Sequence, residues 1–134
     1  MLKFLSFGSG SSGNCYILFT GADCLMIDCG VGIRTLKKHF YNYGLQMSMI
    51  HHILITHDHA DHVKSVGSIS GDLQLPVYAT DGTLQGIRNN WCVRRKIDTK
   101  LTHTINKGEE ILLGEFKVVA FDVPHDSTCL LYTS

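Results

Sequence analysis

Apolar and polar positions change period several times along this chain, and each change marks an element. Leu2 to Phe7 reads as a first strand, followed by a Gly/Ser loop from Gly8 to Asn14. Two apolar, β-rich runs, Cys15 to Thr20 and Cys24 to Asp28, flank Thr20-Gly21-Ala22-Asp23, the signature of a hairpin. Ile33, Leu36, Phe40 and Tyr43 recur at helical spacing, and Gly44 follows as a stop. His52 to Thr56 predicts a short buried strand. Ala60 to about Ile69 predicts a helix with Val63 and Val66 on one face, and Val77 to Ala79 another strand. Thr80 or Asp81 then caps a helix through Asn89. Thr102 to Ile105, Glu110 to Leu113 and Phe116 to Val123 read as a meander with turns at Asn106-Lys107-Gly108 and Gly114-Glu115. Strands interleaved with helices predict an α/β fold with mixed sheets.

Composition narrows the function classes. The chain has 134 residues, which argues for one domain with a real core. Twelve basic and twelve acidic residues give zero formal charge, so neither a uniformly basic nucleic-acid binder nor an acidic solvating tail fits. The apolar runs are far too short to span a bilayer, and Met1-Leu2-Lys3-Phe4-Leu5 does not lead into an export signal. Five cysteines without a C-x-x-C pair predict reduced thiols in a cytosol, with Cys15, Cys24 and Cys29 packed in the core. No membrane association and no obligate protein partner are expected.

The concentrated chemistry lies in Ile53-Leu54-Ile55-Thr56-His57-Asp58-His59-Ala60-Asp61-His62. An apolar strand runs straight into His-x-His-x-Asp-His. Extended backbone leaving the strand puts His57 and His59 on one side, and Asp61 and His62 fall at the start of the next helix. Four ligand-type side chains can then converge at one strand end. Imidazole suits zinc and similar divalent ions, and a carboxylate neutralises part of the metal charge.

Thr56-His57-Asp58-His59-Ala60-Asp61-His62 resembles the signature of the metallo-β-lactamase superfamily. That resemblance implies an αββα sandwich with mixed sheets and two divalent metal ions, zinc or alternatively manganese. His57 and His59 would hold the first ion, and Asp61 and His62 the second. His125, in Phe121-Asp122-Val123-Pro124-His125-Asp126, would complete the first. Asp28, in Leu25-Met26-Ile27-Asp28-Cys29-Gly30, would orient a ligand without binding metal. Ser9-Gly10-Ser11-Ser12-Gly13-Asn14, Leu75-Pro76-Val77-Tyr78-Ala79-Thr80 and Pro124-His125-Asp126 resemble the YycJ/WalJ-like branch, whose members are cytosolic and nuclease-like. The superfamily places a bridging Asp and a last His further downstream than this chain reaches. Residues 1–128 are therefore expected to form the N-terminal portion of such a domain, C-terminally truncated, with 129–134 a non-native tail.

Two close divalent ions lower the pKa of a bridging water toward neutrality and supply hydroxide without a protein nucleophile. Asp61 is then the catalytic carboxylate, binding metal and orienting the hydroxide. The expected activity is a phosphodiesterase or DNA exonuclease, with DNA or a nucleotide as substrate. A thioesterase or lactonase on a small acyl substrate is the alternative within enzymes. A non-catalytic fragment that binds metal is the alternative outside them. Ser12 and Asn14 of the Gly/Ser loop are candidate substrate contacts, the loop being either a phosphate cradle or a turn beside the site. Arg88, Arg94, Arg95, Lys96 and Lys100 surround Trp91. They read either as a strip that tracks a nucleic-acid backbone or as a solvated loop around a partly buried Trp. Asp58 reads as a solvated or capping residue, and His39, His51, His52 and His103 as structural or surface residues.

Overall fold

The computed structural model describes residues 2–10, 12–122 and 127–132, with positions 122 and 127–132 described by their backbone. Nine strands form two sheets among the described residues. The first has six strands in the order β1 (Lys3–Gly8), β2 (Cys15–Phe19), β3 (Cys24–Ile27), β4 (Ile50–Leu54), β5 (Val77–Ala79) and β6 (Thr102–Thr104). β1 to β3 pair antiparallel as consecutive strands. From β3 onward the pairing is parallel. The change follows from the connections. A tight turn returns the chain after β2, whereas each later pair is joined through helices, and a crossover of that kind brings a strand back in the same direction. The helices are α1 (Ile33–Asn42), α2 (Ala60–Val63), α3 (Val66–Leu73) and α4 (Asp81–Asn89).

Side-chain alternation explains the layers. Ile17, Met26, Ile53, Val77 and Ala79 point to one face, where Leu36, Phe40, Val63, Val66, Ile69, Leu84 and Ile87 from the helices pack against them. Leu18, Leu25 and Leu54, their immediate neighbours in sequence, point to the other face. There they meet Leu113, Phe116, Val118 and Ala120 of the second sheet, an antiparallel meander of β7 (Glu110–Leu113), β8 (Phe116–Asp122) and β9 (Ser127–Tyr132). Central strands covered on both faces read as continuous apolar runs, which is how β3 and β4 appear in the sequence.

Two expectations change. Thr102 to Ile105 does not open the meander. Thr102–Thr104 is the parallel sixth strand of the first sheet, drawn there by pairing with β5. The helix expected from Ala60 to Ile69 is two helices, α2 and α3, with Lys64 and Ser65 between them. Ser65 donates its backbone N–H to the Cys29 carbonyl at 3.0 Å, a tertiary bond that turns the chain after one helical turn.

Asp23 clasps the two sheets. Its carboxylate accepts from the backbone N–H of Cys24 (2.8 Å) and of Glu115 in the β7–β8 turn (3.0 Å), and lies 2.8 Å from His51 Nδ1. Burial alone would raise its pKa. The His51 hydrogen bond, the two backbone donors and the nearby His51 charge outweigh burial and hold it below the usual 3.8. A carboxyl depressed on folding adds stability above its unfolded pKa, and that stability is lost as pH falls through the folded value. Thermal melts stepped from pH 7 to 2 should show wild type losing stability below about pH 4 more steeply than Asp23→Asn. Parallel curves would remove Asp23 from acid unfolding.

Candidate metal centre

The site forms where β3 and β4 end, at the carboxyl edge of the parallel strands, a common location for ligands in open α/β sheets. Asp28 follows β3 directly and adopts a left-handed backbone, φ 65°. An aspartate tolerates that region better than most residues. The conformation turns the chain out of the sheet while its N–H still donates to the Leu54 carbonyl of β4 at 2.8 Å. The side chain is almost fully buried and sits among three donors. Oδ1 accepts from the Thr56 backbone N–H at 2.8 Å. Oδ2 accepts from the Thr56 hydroxyl and from His62 Nδ1, both at 2.7 Å.

This network assigns the protons on two imidazoles. A carboxylate only accepts, so the hydrogen between it and His62 belongs to Nδ1. The Thr56 hydroxyl spends its one proton on Asp28. Its 2.9 Å contact with His57 Nδ1 therefore requires Nδ1 to donate. Both lone pairs then fall on Nε2, the nitrogen that binds metal when Nδ1 is held by such a partner. The His57 and His62 ring centroids lie 4.5 Å apart. One donor atom each from Asp28, His57 and His62 lie within 4.8 Å of one another.

Asp61 joins them from α2, its Oδ2 4.0 Å from His62 Nε2. Tetrahedral bonds of zinc length bring two donors to about 3.4 Å, so this pair stands somewhat wider than a bound zinc would hold it. Asn14 holds the carboxylate in place: its Nδ2 donates to Asp61 Oδ2 at 3.1 Å and to the Asp61 carbonyl at 3.2 Å, and its backbone N–H donates to that carbonyl at 2.7 Å. His59 stands further out, its side chain 59% exposed and its ring 5.9 Å from that of His57. Asp58 packs its carboxylate where a side chain on Gly86 would lie. The donor set of imidazoles and carboxylates suits a zinc-like ion.

Comparison with known proteins places the fold. A family model described as the beta-lactamase superfamily domain matches residues 24–131. The chain belongs to that superfamily. Within it, the chain is 29% identical over 125 residues to "Exodeoxyribonuclease WalJ" of Streptococcus pneumoniae, covering 93% of this chain and 46% of the relative. It is 29% identical over 126 residues to "Exodeoxyribonuclease YycJ" of Bacillus anthracis, covering 94% and 47%. The chain thus spans about half the length of the curated relatives it matches. Among solved structures, the B3 metallo-beta-lactamase BLEG-1 superposes with a TM-score of 0.73 at 20% identity, covering 98% of this chain and 67% of that one. The mixed-sheet fold expected from the sequence is the fold of this superfamily.

The remaining candidates of this superfamily member fall in distinct surroundings. His125 lies outside the described residues. Ser12 is exposed beside the site, its carbonyl accepting from Lys64 Nζ at 3.4 Å. Asn14 is buried, and its amide also closes the Gly/Ser loop through Gly10. Cys15, Cys24 and Cys29 are buried in the core. Burial first, then the charges of Asp28 and Cys24, push the Cys15 thiol up to about 12, which keeps it a packing group. His51 binds Asp23, while His52 and His103 flank the Tyr78 ring on the sheet, away from the metal loop. Thr56 is the residue that the sequence reading did not single out. A hydroxyl immediately before a His-x-His run was the available signal.

Proposed function

We propose that this chain carries the metal-binding core of a hydrolase that cleaves phosphodiester bonds, with DNA as its substrate and exonucleolytic cleavage as its action. The observation that carries the reading is the Asp28 carboxylate, which holds Nδ1 of His62 directly and, through the Thr56 hydroxyl, Nδ1 of His57, leaving Nε2 of both rings for a ligand, with Asp61 4.0 Å from that of His62. The names printed for the WalJ and YycJ relatives support the substrate class. In this reading His57, His59 and His125 hold one divalent ion and Asp61 and His62 a second, zinc or manganese. Such ions polarise water and offset charge on phosphoryl oxygens. The chain's own residues do the positioning: Asp28 and Thr56 fix ring orientation, Asn14 fixes Asp61, and Ser12 stands at the rim for substrate. The buried thiols suit a cytosolic setting. Among the described residues no helix is long and apolar enough to cross a membrane.

The test is hydrolysis of a nucleotide diester by the metal-loaded chain, before and after chelation. Activity should disappear with chelator and return with zinc or manganese. His59→Ala should lose metal content, read by elemental analysis. Cleavage of DNA should weaken steeply with salt, because polyanion binding releases counterions, whereas turnover of a small acyl ester should not. Activity that survives chelation would overturn the proposal.

A further inference from the structure

Trp91 is 84% exposed, not partly buried, although the turn that carries it is fixed on both sides. Asn90 Nδ2 donates to the carbonyl of Asp58 in the metal loop at 2.9 Å, and Asn90 Oδ1 accepts from the Cys92 N–H at 2.9 Å. Val93 is buried and donates its N–H to the Asn90 carbonyl. Lys96 Nζ donates to the carbonyls of Ile87 and Asn90, closing the end of α4. Gly86 of α4 leaves the space that the Asp58 side chain fills. The indole is thus presented on an ordered turn one residue from a direct bond to the His57–His62 loop.

The surrounding cations divide into two groups. Arg95 binds Asp72 at 2.7 Å, Lys96 caps the helix, and Lys100 lies 3.8 Å from Asp98. Arg88 and Arg94 are exposed and, among the described residues, make no ion pair. An exposed aromatic face with exposed arginines three positions away on either side in the chain complements a ligand that alternates flat rings with negative charges. Unpaired nucleotides have that chemistry, and every base can stack whatever its identity.

We propose that Trp91 is a stacking platform that, with Arg88 and Arg94, holds a single-stranded stretch of polynucleotide beside the metal loop. The proposal rests on the phosphodiesterase reading and adds the strandedness of its substrate. The chain has one tryptophan, so its fluorescence reports this residue alone. In chelator, to prevent cleavage, a 12-nucleotide oligothymidylate should quench that fluorescence, and an abasic deoxyribose-phosphate oligomer of equal length should not. By anisotropy of labelled oligothymidylate, Trp91→Ala should bind between about fivefold and a hundredfold more weakly. Trp91→Phe should recover most of the loss. Tyr41→Ala, at a residue equally exposed on α1, should bind as wild type. Turnover of bis-p-nitrophenyl phosphate by the metal-loaded wild-type chain reports the hydrolase reading separately.

No quenching by oligothymidylate, equal quenching by the abasic oligomer, or equal affinity of Trp91→Ala overturns the stacking role. Small-diester hydrolysis accompanied by any of these results sinks the platform and leaves the hydrolase reading standing. Base-dependent quenching by a chain that hydrolyses no diester with any metal does the reverse.

Discussion

Replacing Asp28 with asparagine is expected to weaken zinc binding by about 10- to 100-fold while the chain stays folded. The reason is a count of donors. Asp28 faces the Thr56 N–H on one oxygen, and the Thr56 hydroxyl and His62 Nδ1–H on the other. An amide has only one acceptor atom. Turned one way, its NH2 meets two donors; turned the other, it meets the Thr56 N–H. The first orientation frees both imidazoles to adopt the tautomer that puts the proton on Nε2; the second keeps the oxygen on His62 and on the Thr56 hydroxyl but sets the NH2 against the Thr56 N–H, straining the loop that carries His57. Asparagine tolerates the left-handed backbone at this position, so the loss should not come from unfolding. Zinc affinity from competition with a chromophoric chelator, beside a far-UV spectrum, separates the two effects. Thr56→Val should reproduce the effect on His57 and spare His62. Wild-type zinc affinity in Asp28→Asn would show that the carboxylate does not govern the rings.

A larger structural effect is expected at Gly30. A Cβ built there would lie 1.9 Å from the Asp61 carbonyl oxygen and 2.6 Å from the Asn14 nitrogen. Both are backbone atoms already bonded to each other at 2.7 Å, and Gly30 N–H donates to the Asn14 carbonyl at 2.9 Å. Three chain segments cross at one point, so no side chain can swing aside. Gly30→Ala should cost about 3 kcal/mol through overpacking and broken backbone bonds, lowering Tm by on the order of 10 °C. It should also displace Asp61 and reduce metal retention. Gly32→Ala, two residues on, meets nothing within 4 Å and serves as the control. Matching melting curves for Gly30→Ala and Gly32→Ala would contradict this packing account.

Much of this architecture is legible in the sequence because its signals are local. An apolar run ending in His-x-His-x-Asp-His marks a strand, which the structure places at Ile50–Leu54, two residues before the expected His52–Thr56, and a helix that starts at Ala60 as expected. The hairpin of β2 and β3 follows from Gly21 and the runs flanking it. What was not legible depends on partners distant in the chain. Nothing in Thr102-His103-Thr104 says that it pairs with β5 and not with the strand that follows it. The break after α2 comes from the Cys29 carbonyl, 36 positions upstream of Ser65, and no helix-breaking residue marks it. The part of Thr56 in setting the His57 tautomer is invisible until Asp28 is brought to it from β3. Trp91 gave the opposite case: an aromatic in a polar segment suggested partial burial, and only the fixed turn shows the ring left in water.

The central claim is that His57 and His62 present Nε2 to a common divalent centre under the control of Asp28. Nitrogen-15 NMR of the histidine rings, recorded before and after addition of zinc, tests it directly. The account predicts that both rings carry their proton on Nδ1 without metal, and that both Nε2 resonances shift by the large amount typical of coordination when zinc is added. Protons on Nε2 in the metal-free chain, or Nε2 resonances of His57 and His62 that do not move with zinc, would contradict it.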